Sequence, residues 1–400
     1  VIDLVHIDEI VAAQTRLQSV VRPTRATMAE SLSRVVGRPV VVKPEHLQRT
    51  GSFKIRGAYN FIAQLPAGVP VVAASAGNHA QGVALAAALT GHPSRIYMPR
   101  LASLPKLAAT RGYGAEVIQV DGGVDDCMVA AIDDSSQTGA VVVPPFDDRH
   151  VIAGQGTIGL EIADEVPDAE VVVVPIGGGG LIAGVAAAIA AWRRGVRVIG
   201  VEADGAASMS ASMAAGHPVQ VTPSTMADGV ALRAPGALPL AICRSLVDEV
   251  VQVSDEQIST AVVMLIERVK AVVEPSGAMA IAAILAGAIP GSGPAVAVCS
   301  GGNVDSLLLA RLIDHGLAAA GRFQVLRVVI GDQPGTLHTL TGVIASAGAN
   351  LLTVEHHREG QGLPIASVAV TLTIETRDHA HQLDVVDALA AAGYAVSEHR

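Results

Sequence analysis

Residues 171–192 read VVVVPIGGGGLIAGVAAAIAAW, 22 positions without a charge. A membrane-spanning helix takes about 20 apolar residues, so length alone would admit one here. The interior argues against it, because a proline and four glycines would break a spanning helix. The flanks fit a buried β-strand before the glycines and a small-residue helix after them. Strand, glycine turn and helix is the reading that decides the fold, and no membrane partner is expected.

The same unit recurs on both sides. Between about residues 39 and 315, the β-branched runs PVVVK, VPVVAAS, SRIYMP, AEVIQV, AVVVPP, VVVVPI, VRVIGVE and AVAVCS are each closed by Gly, Pro, Ser or Asp and lead into a helical stretch. Near-continuous apolar strands alternating with helices are characteristic of parallel strands covered on both faces. The fold class is therefore a doubly wound α/β architecture. Ligands in such sheets bind beyond the C-terminal ends of the strands, so the chemistry is sought in the loops there.

Composition narrows the function. The chain has 400 residues, half of them hydrophobic, enough for more than one structural unit. A formal net charge of -10 without a basic run excludes an electrostatic attraction to nucleic acid. Cys127, Cys243 and Cys299 stand far apart without CxxC spacing, which fits a reducing cytoplasm. The first residues, VIDLVHIDEIVAAQ, carry acids where a signal peptide has basic residues, so no signal peptide is expected.

The pattern changes near LAAAGRF, residues 317–323. Beyond it, RFQVLRVVI, TLHTLTGVIASAG, ANLLTVEHH, ASVAVTLTIET, HQLDVVDALAAAGY and AVSEHR read as strand, helix, strand, strand, helix, strand. This βαββαβ order is compact enough for a separate domain. It carries few candidate catalytic groups, so regulation or assembly is its expected work.

Three strand-end loops stand out. SAGNHAQG (75–82) follows VPVVAA and precedes a helical run, so its N–H groups and the helix end suit a carboxylate. The bland alternative is a tight βα turn in which Asn78 and His79 serve only the backbone. IGGGGLIAG (176–184) is a phosphate cradle by composition, without the Walker lysine; a nucleotide remains an alternative occupant. CSGGN (299–303) offers Ser300 either as a nucleophile without identifiable His and Asp partners or as a hydroxyl bonded to a bound ring.

TGSFKIRG (50–57) then gains a context, because it sets Lys54 in a glycine-flanked segment. A partly desolvated lysine amine has its pKa lowered from about 10.4 and forms Schiff bases. Pyridoxal 5'-phosphate is an aldehyde that also needs a phosphate cradle. It would use Lys54, the glycines and a polar strand-end group for the ring nitrogen, leaving a carboxylate loop for an amino acid.

TGSFKIRGAYN, SAGNHAQGVA, GGGGLIAG and CSGGN, in this order, resemble the threonine/serine dehydratase group of fold-type II pyridoxal-phosphate enzymes, to which serine racemase also belongs. The likeness covers residues 20 to 315, and the tail resembles an ACT domain. The resemblance implies a catalytic domain over 1–318, with a small subdomain at about 45–140 inserted in a large one, and an ACT domain over 322–400. It implies that Lys54 is the Schiff-base lysine, that Phe53 packs beside the ring and that Asn78 bonds the ring hydroxyl. Gly177, Gly178, Gly179, Gly180 and Leu181 would bind phosphate, Ser300 would meet the pyridine nitrogen, and Glu274 in VVEPSGA would lie near the ring. Ser75, Gly77, Asn78 and His79 would hold the substrate carboxylate.

The implied reaction is β-elimination of L-threonine, and more slowly L-serine, to a 2-oxo acid and ammonia, at the committed step toward isoleucine. Serine dehydratase or serine racemase activity is the near alternative, and a non-catalytic amino-acid- or nucleotide-binding protein the distant one. The racemase resemblance departs at Ala76, where its second acid/base is a serine, and at Ser208, where its metal site has an aspartate; Glu202 matches that site, which leaves a monovalent or divalent cation as an expectation to test. In the tail, Gly335 and Asn350 fall where ACT domains meet an amino acid, so isoleucine or valine is an expected effector, with a plain oligomer interface as the alternative. A homodimer or homotetramer is expected. The aspartates at 125, 133 and 147 read as caps and solvated corners, His356 and His357 as alternating faces of one strand, and Cys299 as a small buried hydrophobe.

Overall fold

The computed structural model describes residues 4–192, 195–358 and 363–398, so the first three residues of the acidic N-terminal stretch and the last two of AVSEHR lie outside it. All eight apolar runs are strands, divided between two sheets. Numbered along the chain, the strands of the catalytic region are β1 (Thr27–Met28), β2 (Val40–Lys43), β3 (Val71–Ala74), β4 (Ser94–Pro99), β5 (Glu116–Val120), β6 (Val141–Val142), β7 (Val171–Pro175), β8 (Arg197–Ala203), β9 (Glu249–Val253) and β10 (Ala295–Val298).

The small sheet has the order β5-β4-β3-β6, all parallel. The large sheet has the order β1-β2-β10-β7-β8-β9, parallel except for β1. Two of its strands escape the apolar-run pattern for a physical reason. β1 is only two residues long, and β9 is an edge strand whose EVVQV is interrupted by exposed Glu249 and Gln252. At the centre of the large sheet, β7 and β10 are wholly buried. The run 171–192 is β7, a glycine turn and the helix Gly180–Trp192. Among the described residues no helix is long and apolar enough to cross a membrane.

Close helix packing fixes the segment that carries Lys54. The helix Lys54–Ile62 lies against Arg149–Glu165 and Asn78–Thr90. A Cβ on Gly154 would stand 2.6 Å from the Arg56 carbonyl oxygen, and one on Gly82 would stand 3.1 Å from the Lys54 carbonyl carbon. Glycine at these two contacts lets the three helices seat. Beneath them Arg56, fully buried, gives charge-assisted hydrogen bonds to Glu45 and Glu161, while buried Lys43 pairs with Glu161 and Glu165.

The chain forms two compact units, 1–309 and 310–400. The second unit holds β11 (Phe323–Gly331), β12 (Asn350–His357), β13 (Ser367–Glu375) and β14 (Val396–Glu398), with helices Thr336–Ser346 and His379–Ala391 in βαββαβ order. Its sheet is antiparallel in the order β12-β13-β11-β14, and its own core gathers Leu326, Val328, Leu340, Ile344, Val370 and Leu372.

Candidate active site

The four motifs converge on one cavity of about 290 Å³ in the first unit. Lys54, the first residue of its helix rather than part of a turn, projects into it and donates from Nζ to the Pro145 carbonyl at 2.7 Å. Nζ lies 5.3 Å from the centroid of the Phe53 ring. Burial brings the Lys54 amine down to about 8, against the opposing pull of the Glu274 carboxylate.

Backbone bonds tie the segment before the Lys54 helix to the loop after β10. Phe53 N–H donates to the Ser300 carbonyl at 3.1 Å, and Gly302 N–H to the Gly51 carbonyl at 2.9 Å. Thr50 is held at φ 64°, a left-handed conformation unusual for a β-branched residue, and its carbonyl accepts from the Asn303 amide at 2.6 Å. Asn303 also donates to Asn78 Oδ1 at 2.7 Å, and Asn78 in turn donates to Glu274 Oε1 at 2.6 Å. The amide of Asn78 is thus pinned at both ends. Burial, with Asp228 nearby, raises the Glu274 carboxyl to about 7.

The carboxylate loop sits at the start of the helix Asn78–Thr90, whose first-turn N–H groups have no partner within the helix. Ser75 Oγ accepts from Gly77 N–H at 3.1 Å. The ring of His79 points elsewhere: its Nε2 meets the Val143 carbonyl at 2.9 Å, and burial with the Lys54 charge lowers it to about 3, so the ring is neutral. His79 can serve a carboxylate through its N–H and not through an imidazolium.

Glycines 177–180 and Leu181 line the opposite wall. The N–H groups at the start of the helix Gly180–Trp192 find no protein acceptor among the described residues. A Cβ on Gly178 would stand 2.3 Å from the Phe146 ring, and Gly179 is at φ 90°. Side-chain-free backbone is therefore required there for packing as well as for access. Ser300 and Ser276 complete the lining, and Ser276 Oγ is buried without a protein partner.

The donor set fits pyridoxal phosphate. An amine with a lowered pKa faces a backbone anion cradle, two aromatic rings form apolar walls, and a buried hydroxyl awaits a partner from the contents of the cavity. No such fit holds for the cation expected at Glu202. Both its oxygens cap the helix Ser208–Ala215, accepting from Met209 N–H at 2.6 Å and from Ser210 N–H and Oγ at 2.9 and 2.6 Å. Among the described residues no group of three His, Cys, Asp or Glu side chains could hold a metal ion.

Other expectations resolve by position. Asp147 caps the helix Ala237–Leu246 through the N–H groups of Ala237 and Leu238. Asp125 lies in the first turn of the helix Val124–Thr138, its side chain 73% exposed, as expected of a solvated corner; it also stands at the mouth of the cavity and pairs with Arg233 at 3.0 Å. Gly335 precedes the helix Thr336–Ser346 and Asn350 begins β12 after its other end, so an eleven-residue helix, about 16 Å long, separates them along the chain. The structure does not bring them together. Lys106, Asp228, Phe146 and Asn303, which belong to the site, were not singled out from the sequence; only Asn303, inside CSGGN, lay in a motif that could have signalled it.

Known proteins agree with this geometry. The family described as pyridoxal-phosphate dependent enzyme matches residues 17–301, and the ACT domain matches 324–393. The chain is 46% identical to an L-threonine ammonia-lyase of Thermotoga maritima, over 98% of this chain and 99% of that one. It is 42% identical to a catabolic L-threonine dehydratase of Escherichia coli, over 75% of this chain and 94% of that one. Maize serine racemase superposes with a TM-score of 0.74 at 37% identity, covering 79% of this chain and 99% of that one. The processed threonine deaminase isoform 2 of Solanum lycopersicum gives 0.72 at 36%, covering 78% and 95%. The chain belongs to the pyridoxal-phosphate-dependent enzyme family, in the fold shared by threonine deaminase and serine racemase, and carries an ACT domain behind its catalytic unit.

Proposed function

We propose that this chain converts L-threonine to 2-oxobutanoate and ammonia, and L-serine more slowly to pyruvate and ammonia. The observation that carries the reading is Lys54, an amine brought down to about 8 and facing a glycine-built anion cradle, in a chain whose near-full-length relatives are L-threonine ammonia-lyases.

Bound pyridoxal phosphate supplies an aldehyde for the substrate amine and a conjugated ring that draws electrons from Cα. Gly177 to Gly180 and Leu181 would offer N–H groups to its phosphate, and Phe53 would pack beside its ring. Asn78, one amide hydrogen spent on Glu274, keeps the other for the ring hydroxyl. Ser300, which lines the cavity, would offer the ring nitrogen a neutral hydroxyl in place of a carboxylate, an arrangement that would favour prompt elimination over storage of charge. Ser75 and the N–H groups of Asn78 and His79 would seat the substrate carboxylate, with Gly77 N–H joining them by exchanging Ser75 Oγ for it. Lys54 Nζ would hold the aldehyde at rest and, as a free amine, would take the α-proton; an amine near 8 is a competent base close to neutral pH. The α-proton and β-hydroxyl leave together as water. The enamine released tautomerises and is hydrolysed to 2-oxobutanoate and ammonia, which balances the atoms.

Maize serine racemase as a structural neighbour makes racemisation the second reading. Ala76 weighs against it, because a methyl group cannot return a proton from the opposite face. Isoleucine or valine bound between ACT units of two copies, at Gly335 and Asn350, is the regulation we propose, in a cytoplasmic homo-oligomer at the committed step toward isoleucine. The test is a 2-oxo acid assay across hydroxy amino acids, with and without isoleucine and valine, and chiral analysis of residual serine. Threonine yielding no 2-oxobutanoate would overturn the substrate; D-serine would turn the assignment toward racemase.

A further inference from the structure

Two lysines line the cavity, and the mechanism above uses only Lys54. The other, Lys106, comes from the helix Leu104–Gly112 of the small subdomain. Its side chain is 15% exposed, and its ammonium meets the carboxylate of Asp228, on the irregular segment 217–236 of the large subdomain. On the other side it faces the carboxylate loop: a Cβ built on Gly77 would stand 3.7 Å from Lys106 Nζ.

The charges around the cavity make this position matter. Asp125, Asp228 and Glu274 all line it, and Asp125 is balanced by Arg233 at the rim. His79 is neutral, and Lys54 is engaged when the site is loaded. The loop at 75–79 offers N–H dipoles and no formal charge. A substrate carboxylate seated there would face an unbalanced acidic wall were it not for Lys106. An ammonium has three donors, of which Asp228 takes one, so two remain for a second anion.

We infer that Lys106 is a substrate-binding residue, its ammonium shared between Asp228 and the α-carboxylate on the Ser75–His79 loop, which makes the pocket select amino acids over the corresponding amino alcohols. The inference rests on the amino-acid substrate proposed above. It gives Asp228 a positioning role: the carboxylate keeps the ammonium at the rim and joins the two subdomains across the mouth.

The experiment is calorimetric titration of the holoenzyme with L-2-aminobutyrate, which has no β-hydroxyl to lose, and with L-2-amino-1-butanol, which lacks the carboxylate. Lys106→Met should lose about 10- to 100-fold in affinity for the acid, the range of a charge-assisted hydrogen bond, and leave the alcohol unchanged. Lys106→Arg should restore most of the loss, and Asp228→Asn should keep the preference for the acid. Lys106→Gln replaces the methionine variant if the latter does not fold. The inference is overturned if the neutral variants still prefer the acid as wild type does, or if Asp228→Asn loses as much as Lys106→Met, which would make the pair a strap between subdomains and nothing more. A 2-oxo acid assay on wild type separates the two readings: product with undiminished acid preference in Lys106→Met rejects Lys106 alone, whereas no product rejects the threonine reading and leaves the calorimetric comparison to decide Lys106.

Discussion

The lowered pKa of Lys54 predicts how the apoprotein takes up pyridoxal phosphate. An amine attacks an aldehyde only when unprotonated. With a pKa of about 8 in place of 10.5, the free-amine fraction at pH 7 is about one in ten and not about one in three thousand. The uptake rate should therefore climb about tenfold per pH unit up to pH 8 and level off above it. The assay is stopped-flow growth of the visible absorbance band, with Nα-acetyl-lysine run alongside to cancel the cofactor's own titration. Glu274→Gln supplies the sign. The Glu274 carboxylate, itself titrating near 7, is ionised around pH 8 and raises the Lys54 pKa, so its removal should move the midpoint below 8. Lys54→Ala should show no band that borohydride shifts. A wild-type midpoint above pH 9, or an upward move in Glu274→Gln, would refute the claim that burial sets this amine.

Three other outcomes follow from the packing and bonding. Arg56→Met leaves the buried carboxylate of Glu45 without its guanidinium and should cost about 3–5 kcal/mol of stability, read by urea unfolding of the apoprotein; a loss under about 1 kcal/mol would mean that the network is solvated. Gly178→Ala puts a methyl group 2.3 Å from the Phe146 ring and should weaken cofactor binding by about tenfold or more, the consequence of about 1–3 kcal/mol of overpacking; unchanged affinity by absorbance titration would show that the ring simply moves aside. Asn303→Ala and Glu274→Ala free opposite ends of the Asn78 amide, so their effects on kcat/KM should be non-additive by about 0.5–3 kcal/mol in a double-mutant cycle, and strict additivity would show that Asn78 is held by neither.

What the sequence disclosed follows from which forces act locally. A strand covered on both faces must be apolar throughout, so central strands such as β7 and β10 could be read directly; the edge strand β5, EVIQV, was legible with two polar positions, whereas two-residue β1 and the edge strand β9, EVVQV, were not. Glycine beside a strand end is a local signal too, which is why 177–180 and 75–79 were legible as loops. The partners of those loops were not. Lys106 sits in SLPKLAAT, which reads like any surface helix, and Asp228 in an irregular segment; only the approach of that helix to segment 217–236 makes them a pair. Phe146 explains Gly178 only through a contact across 32 positions of chain.

Asn303 shows the same limit inside a motif that was noticed. CSGGN attracted attention for Ser300, yet it is Asn303 that binds the Thr50 carbonyl and the Asn78 side chain and so links the lysine turn to the carboxylate loop. The left-handed Thr50 belongs to this linkage. A β-branched residue at φ 64° costs on the order of 1–3 kcal/mol and persists only where neighbouring bonds hold it. Here the holding bonds come from Asn303 to Thr50 and from Gly302 to Gly51. Since β2, which precedes the turn, and β10, which precedes the loop, are adjacent parallel strands, their C-terminal ends deliver both segments to the same rim. The strand order therefore does more than hold the core: it places a strained turn and its restraint side by side, and Lys54, a few residues later, is aimed by that restraint.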